Sequence, residues 1–114
     1  TDKSFKTEKL SAATGEYAVF TYAVPAGKTL YITQAAVAQF GVAVADMDKD
    51  QMCDLVIRDT TSATYPWWQG GNGGIGVIFP KPIVIPGGDT LRVDANNRAN
   101  HVTNIELTVA GYEL

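Results

Sequence analysis

Apolar and polar positions alternate most regularly in residues 75–95, and this segment predicts two consecutive β-strands. Within residues 91–94, apolar and charged side chains alternate with the period of two that places successive side chains on opposite faces of a strand. A Pro-Gly-Gly-Asp sequence separates the two apolar runs. Because proline lacks a donor for the ladder and glycine permits a tight corner, we expect the chain to change direction there.

A looser copy of this corner occurs earlier in the chain. Residues 24–32 match residues 85–93 in the order apolar, proline, small, glycine, charged, threonine, leucine, any residue, apolar. The repeat predicts that a second pair of strands is joined by the same kind of corner.

Five further segments are rich in β-branched and aromatic residues or alternate with a period of two. Together with the two strands above, they predict seven or eight strands and no substantial helix. Residues 16–24 carry apolar side chains on both faces, as expected of a strand that is covered on each side. Residues 41–51 predict a loop. The five segments are residues 16–24, 29–40, 52–59, 63–69 and 102–112.

Short strands and Pro-Gly corners predict an all-β fold, a two-sheet antiparallel β-sandwich of the jelly-roll type. An immunoglobulin-like sandwich is the alternative, although the Cys…Trp…Cys spacing of antibody domains is absent. We expect residues 16–114 to form a single β-sandwich domain. The polar residues 1–15 predict either an N-terminal arm that grips a neighbouring subunit or a loosely attached first strand.

Composition and charge argue against several classes of function. The 114 residues carry a net charge of −3 and no run of Lys or Arg, whereas a nucleic-acid-binding face requires concentrated positive charge. No apolar stretch approaches the roughly 18 residues of a membrane-spanning helix. The polar residues 1–4 do not resemble a signal peptide, and the single cysteine, Cys53, cannot form an intrachain disulfide. We therefore expect synthesis in a reducing compartment.

Four aspartates between residues 46 and 54 bear on metal binding, because calcium prefers oxygen ligands at such spacings. The calcium loop of an EF-hand, however, has a glycine where Gln51 stands and a bidentate glutamate where Ile57 stands. We therefore expect a solvated acidic loop without a metal ion, and a calcium site is the alternative. Its ligands would be Asp46, Asp48, Asp50 and Asp54.

Three aromatic residues, Tyr65, Trp67 and Trp68, precede a glycine-rich segment. Neighbouring side chains on a regular strand point to opposite faces, so at most one of the two tryptophans can lie in the core. The other one is expected at a protein interface or against a sugar ring, unless a bulge or a loop covers both. A glycan site would use Tyr65, a tryptophan, and Asn72 or Asn97.

The sequence contains no catalytic signature. Residues 70–74 are glycine-rich but are not followed by Lys-Ser/Thr and do not open a helix, so they do not predict a phosphate site. His101 and Cys53 supply too few nitrogen and sulfur ligands for zinc. Cys53 also alternates with inward apolar residues, where a thiol is inert. We therefore expect a protein that is not an enzyme and binds no cofactor.

Three motifs, together with the polar N-terminal segment, carry a resemblance to a protein family. VPAGKTLYIT begins at Val24, FPKPIVIPGGDTLRVD begins at Phe79, and IELTVAGYEL closes the chain from Ile105. From Val24 onward, the chain resembles the small jelly-roll virion proteins of tailed bacteriophages, namely capsid decoration (cement) proteins and the knob domains of fibres. Similar strand patterns occur in carbohydrate-binding modules and in tumour-necrosis-factor-like trimers.

The resemblance implies a non-enzymatic structural protein of the virion, made in the host cytoplasm, that stabilises the particle as a decoration subunit or fibre component. It also implies a homo-oligomer, with a trimer favoured, that contacts a capsid or fibre protein and neither nucleic acid nor membrane. A carbohydrate-binding module for a host receptor is the alternative. The expected interface residues are Phe5, Leu10, Trp67 and Trp68.

Overall fold

The computed structural model describes residues 1–114, which form eight strands. The strands are β1 (Asp2–Ala12), β2 (Tyr17–Ala23), β3 (Thr29–Gly41), β4 (Met52–Asp59), β5 (Thr64–Asn72), β6 (Gly74–Pro86), β7 (Thr90–Asn97) and β8 (Thr103–Glu113).

The strands pair into two antiparallel four-stranded sheets. Sheet A has the order β1-β8-β3-β6, and sheet B has the order β2-β7-β4-β5. This arrangement is the double Greek key of a jelly roll, so the predicted fold class is confirmed. The immunoglobulin-like alternative is wrong, because its sheets have a different strand order.

The polar N-terminal segment forms β1, which is hydrogen-bonded along β8 as an edge strand of sheet A. The glycine-rich residues 70–74 lie largely within β5, and the tight turn to β6 is at Gly73, where φ is 78°. Helix is limited to the 3-10 turn Val44–Asp46 between β3 and β4. None of the chain's helical structure has the length and hydropathy needed to cross a membrane.

The core lies between the two sheets and is built by the predicted period of two. In β4, the inward residues Cys53, Leu55 and Ile57 are at most 1% exposed. Burial of such side chains stabilises the fold by roughly 1.5–3 kcal/mol each. The largest fully buried apolar side chains are Leu30, Ile32, Leu55, Ile57, Ile85, Leu91, Ile105 and Leu107.

The two Pro-Gly corners carry the chain between the sheets, and they lie side by side. The first corner joins β2 to β3, and the second joins β6 to β7. The backbone N–H of Val24 donates to the carbonyl of Asp89 at 2.9 Å, and the N–H of Gly88 donates to the carbonyl of Val24 at 2.8 Å. Gly88 has a φ of 89°, a conformation that favours glycine. The two copies of the sequence repeat therefore form the two crossings between the sheets, and these crossings are hydrogen-bonded to each other.

Candidate functional site

The outer face of sheet B, which is turned away from the core, carries ordered rows of side chains. The pairing of β2 with β7, of β7 with β4, and of β4 with β5 sets these rows. Aromatic and apolar side chains lie beside charged ones in these rows, whereas the solvent-exposed face of an antiparallel sheet is usually polar. The rows are Tyr17–Asn96–Asp54–Gly70, Val19–Asp94–Val56–Trp68 and Thr21–Arg92–Arg58.

A groove with a volume of about 460 Å³ crosses these rows, and we call it the sheet-B groove. Its size falls within the range of small-molecule sites. Tyr17 forms one wall from β2, while Tyr65 and Trp68 form the other wall from β5. Tyr65 and Trp68 are 59% and 64% exposed, so much of each side chain is accessible to a ligand. The floor contains Asp94 and Asn96.

A buried carboxylate, Asp94, dominates the floor of the sheet-B groove and is only 1% exposed. Arg58 Nη2 donates a 3.0 Å hydrogen bond to Asp94 Oδ2, and Arg92 Nε lies 3.5 Å from Asp94 Oδ1. The guanidinium of Arg58 also stacks over the ring of Tyr65, 5.2 Å from its centroid. Arg58 therefore contacts both the floor of the groove, at Asp94, and one of its walls, at Tyr65.

Several buried polar atoms of the floor have no hydrogen-bond partner. Asp94 Oδ1 and Asn96 Oδ1 accept no hydrogen bond, and Arg58 Nε donates none. Leaving a buried polar group unsatisfied costs about 1–3 kcal/mol, and such groups are uncommon in folded proteins. These atoms lie together beneath the sheet-B groove, where an additional polar partner would stabilise them.

Asp54 is the second carboxylate of the groove, and its environment favours the protonated form. Burial raises the pKa of Asp54, the positive charge of Arg98 opposes this increase, and the negative charge of Asp94 adds to it. Arg98 Nε lies 3.6 Å from Asp54 Oδ2 at the rim of the groove. Acidic and basic groups are thus interleaved, and the groove has no single charge sign.

The structure separates the two tryptophans as the alternation predicts. Trp67 points inward, packs against the core and meets the ring of Phe79 edge-on, with 5.4 Å between the ring centroids. Trp68 points outward into the sheet-B groove. The prediction that at most one of them lies in the core is therefore confirmed, and Trp67 is not available for an interface or a glycan.

The two asparagines proposed for glycan contact lie outside the sheet-B groove. Asn97 is fully buried, and its Nδ2 donates to the carbonyls of Ala12 and His101 at 2.9 and 3.0 Å. The Oδ1 of Asn72 accepts a 2.8 Å hydrogen bond from the N–H of Gln51. The prediction for Asn97 is wrong in this structure, because its side chain points to the opposite face of β7 from the groove. Both asparagines brace loops.

Sequence reasoning missed Tyr17, Asp94 and Asn96 as members of the site. The sequence showed only that Asp94 and Asn96 alternate outward along β7. It did not show which residues lie beside them, because the neighbouring strands β2 and β4 are distant in the chain.

The four aspartates proposed as calcium ligands do not come together. Asp46 Oδ1 lies 2.7 Å from Lys49 Nζ, and this contact lowers the pKa of Asp46. Asp54 lies instead on the outer face of sheet B. No three His, Cys, Asp or Glu side chains are arranged so that they can hold a metal ion. The geometry therefore gives no support to the calcium alternative.

Cys53 and His101 do not form a reactive pair in this structure. Cys53 is 1% exposed, and burial, together with the charge of Asp54, raises its pKa to about 11. The ring of His101 contacts Gln51, with 3.0 Å between His101 Nε2 and Gln51 Oε1. Because a nucleophilic cysteine requires a lowered pKa, Cys53 has the properties of a core residue.

A second notable surface lies at the end of the sandwich formed by the β3–β4 and β7–β8 connections. Val44, in the 3-10 turn, is 83% exposed, and Met47 is 56% exposed. Six exposed apolar side chains share this end, and we call the surface the apolar end. They are Leu10, Phe40, Val42, Val44, Met47 and Val102.

Backbone and side-chain hydrogen bonds join the strands and loops of the apolar end. The N–H of Val42 donates to the carbonyl of Val102 at 3.4 Å, which connects the two loops. Phe40 is paired with Asn104 in sheet A, and Asn104 Oδ1 accepts a 2.8 Å hydrogen bond from the N–H of Ser11. Leu10 precedes Ser11 and is 62% exposed. Phe5, in contrast, lies inside the fold and stacks on Phe20, with 5.0 Å between the ring centroids.

No protein-family model matches the sequence, and no curated protein matches it either. Among solved structures, the chain is similar to the Yersinia pseudotuberculosis-derived mitogen, with 10% identity, a TM-score of 0.40, and coverage of 86% of this chain and 87% of the mitogen. It is also similar to a chain in the structure of the infectious bursal disease virus Gx strain, with 16% identity and a TM-score of 0.37. That alignment covers 96% of this chain but only 33% of the viral one. We draw nothing about function from likenesses of this strength.

Proposed function

We propose that this chain is a non-enzymatic structural subunit of a virion. In this proposal the apolar end joins copies of the chain to one another and to a capsid or fibre protein. The observation that carries the proposal is the exposure of six apolar side chains at one end of a 114-residue domain. Monomeric proteins rarely leave large contiguous apolar patches in water, and such patches are typical of protein interfaces.

The apolar end is held in place by buried polar contacts, which favours its use as a preformed docking surface. Asn97 ties the end of β1 to the β7–β8 connection, and Gln51 Nε2 donates to the carbonyls of Asp46 and Lys49 at 2.7 and 2.9 Å. A loop that is already ordered loses little conformational entropy on binding. The β3–β4 loop therefore presents Val44 and Met47 without a large ordering cost.

The edges of sheet A are protected, so we do not propose association by sheet extension there. The edge strand β1 carries Lys3, Lys6 and Lys9, and the other edge strand, β6, carries Pro80 and Pro82. Lysine and proline on edge strands hinder pairing with another strand. Contact through the end of the sandwich avoids this obstacle.

Within this proposal, the four residues expected at an interface have different roles. Leu10 belongs to the apolar end and is the one we retain as a contact residue. Phe5 and Trp67 pack inside the fold and support it, whereas Trp68 lies in the sheet-B groove. The virion assignment itself draws on the resemblance of the Pro-Gly motifs and on the jelly-roll topology, a fold that recurs in viral capsid proteins.

Light scattering after size exclusion, over a hundredfold range of concentration, tests self-association. The chain has a mass of 12.2 kDa, so a trimer weighs three times 12.2, or about 37 kDa. We expect a mass near the trimer value that decreases only on strong dilution. A mass of one chain at every concentration would contradict self-association.

A further inference from the structure

We propose that the sheet-B groove is a binding site for a neutral oligosaccharide, in which one pyranose ring stacks on Trp68 and the ring hydroxyls bind the polar floor. This inference goes beyond the assembly role of the apolar end and does not depend on it, because the two surfaces share no residue. Two independent observations carry it: an open aromatic wall and a floor with unpartnered buried polar atoms.

The aromatic wall is the first observation. Trp68 is 64% exposed on the face of the sheet, although exposing a large aromatic ring to water is unfavourable. The core does not need this ring, since Trp67 fills the inward position. Tyr65, beside it, is 59% exposed and is fixed by Arg58, and Tyr17 stands opposite. The C–H face of a pyranose ring is apolar and flat, and it covers such a wall well.

The floor is the second observation, and its chemistry selects the class of ligand. Asn96 Oδ1 lacks a donor, Arg58 Nε lacks an acceptor, and Asp94 Oδ1 has only the ion-pair contact with Arg92 at 3.5 Å. A sugar hydroxyl donates one hydrogen bond and accepts others, so a single kind of group satisfies all three atoms. An apolar ligand would leave them unpaired, at a cost for each. An anionic ligand would find no unpaired positive charge, because Arg58 and Arg98 are each ion-paired with a carboxylate of the groove.

The rim of the groove provides access to the floor. Each unpartnered atom exposes less than 1 Å² to solvent, so a ligand must displace a neighbouring side chain to reach it. The side chain of Arg98 is 60% exposed and is held to Asp54 only by a contact of 3.6 Å. Arg98 can therefore move at little cost, because exposed ion pairs of this kind contribute about 1 kcal/mol or less.

The same floor favours binding over hydrolysis of the sugar. Glycoside hydrolases use two carboxyl groups, one of which attacks or activates water while the other donates a proton. Asp94 is ion-paired with both Arg58 and Arg92 and is only 1% exposed, so its carboxylate is not free to attack a glycosidic bond. We therefore assign the groove to recognition and not to catalysis.

The experiment titrates the full chain with named neutral oligosaccharides while tryptophan fluorescence and heat are recorded. The probes are maltohexaose, cellohexaose, mannohexaose and the hexamer of N-acetylglucosamine, with 3′-sialyllactose and a heparin octasaccharide as anionic comparators. We expect saturable binding of at least one neutral probe. Trp68→Ala should weaken that binding at least about tenfold, which corresponds to about 1.4 kcal/mol. Phe40→Ala, which removes an exposed aromatic side chain from the apolar end, is the matched control and should bind like the parent.

Thermal melts establish first that both variants fold, as expected for positions that are more than half exposed. The proposal is overturned if no neutral probe binds at millimolar concentration, if only the anionic probes bind, or if Trp68→Ala binds as tightly as the parent. Loss of self-association in Trp68→Ala, without any response to sugars, would assign the groove to protein contact and would also overturn it. A monomeric parent that binds sugar would refute the assembly role alone.

Discussion

Arg58 donates a 3.0 Å hydrogen bond to Asp94 across the neighbouring strands β4 and β7, and this pair organises the outer face of sheet B. Asp94 is almost completely buried, whereas the side chain of Arg58 is 30% exposed. Burial of the carboxylate costs more than burial of the guanidinium, and the ion pairs with the two arginines offset that cost.

Arg58→Met should destabilise the chain by about 2 kcal/mol in urea unfolding. Loss of one partner of a fully buried ion pair typically costs roughly 3–5 kcal/mol. We expect less here because Arg58 is partly exposed and Arg92 remains 3.5 Å from Asp94. Lys6→Met is the control, since its pair with Glu106 is exposed and should contribute about 0.5 kcal/mol or less. Equal effects of the two changes would contradict the role given to Asp94.

Asp89→Asn should stabilise the chain near neutral pH and have little effect in acid. A hydrogen bond with Asp59, together with burial, raises the pKa of Asp89. Burial opposes ionisation of Asp59, but hydrogen bonds from Asp89, Ser62 and Thr61 outweigh it and lower the pKa of Asp59.

The direction of the pH effect follows from the raised pKa of Asp89. A carboxyl group with a raised pKa in the folded state stabilises the fold below its unfolded pKa and loses that contribution as the pH rises through the folded pKa. Asparagine keeps a donor at this position without acquiring charge. The melting temperature of Asp89→Asn relative to the parent should therefore increase from about pH 3 to about pH 7. A constant difference across this range would refute the raised pKa of Asp89.

Gly87→Ala should cost about 1–3 kcal/mol, because the two Pro-Gly corners leave no space for a side chain. A Cβ at Gly87 would overlap the carbonyl oxygen of Lys28 and lie 2.8 Å from that of Pro25. Gly76→Ala serves as the control, since a Cβ there has no neighbour within 4 Å. Urea unfolding of the two variants measures the difference, and equal stabilities would mean that the corners are not tightly packed.

The thiol of Cys53 should react with a disulfide reagent near pH 8 only when the chain unfolds. Burial raises its pKa to about 11, and it is 1% exposed, so both the thiolate and access are lacking in the folded state. The modification rate should increase with urea in parallel with unfolding. Rapid modification of the folded protein would show that β4 opens locally.

The period of two and the Pro-Gly corners were sufficient to predict the fold class. The alternation also placed Cys53 on the inward face of β4 and separated Trp67 from Trp68. The two corners share a motif because both make the same crossing between sheets, so the repeat carried structural information. Residues 2–12 were harder to predict, because β1 is an edge strand whose polar side chains conceal its pairing with β8.

The site was predicted only in part, because it is built from strands that are distant in the sequence. The sequence predicted that one of the two tryptophans is exposed beside Tyr65, but not which one. Asn96 could not, since its position in the sheet-B groove depends on the pairing of β7 with both β2 and β4. Asn97 was chosen instead, and a shift of one residue along a strand moves a side chain to the opposite face.

The assembly role is tested most directly by the solution mass of Val44→Asp beside that of Ile78→Asp. Val44 is 83% exposed at the apolar end, and Ile78 is 77% exposed on sheet A, so both variants should fold. If the apolar end joins the subunits, the parent and Ile78→Asp should have the mass of an oligomer, and Val44→Asp should have that of one chain, because a buried charge disrupts an apolar interface. A Val44→Asp protein that keeps the mass of the parent oligomer would contradict the account.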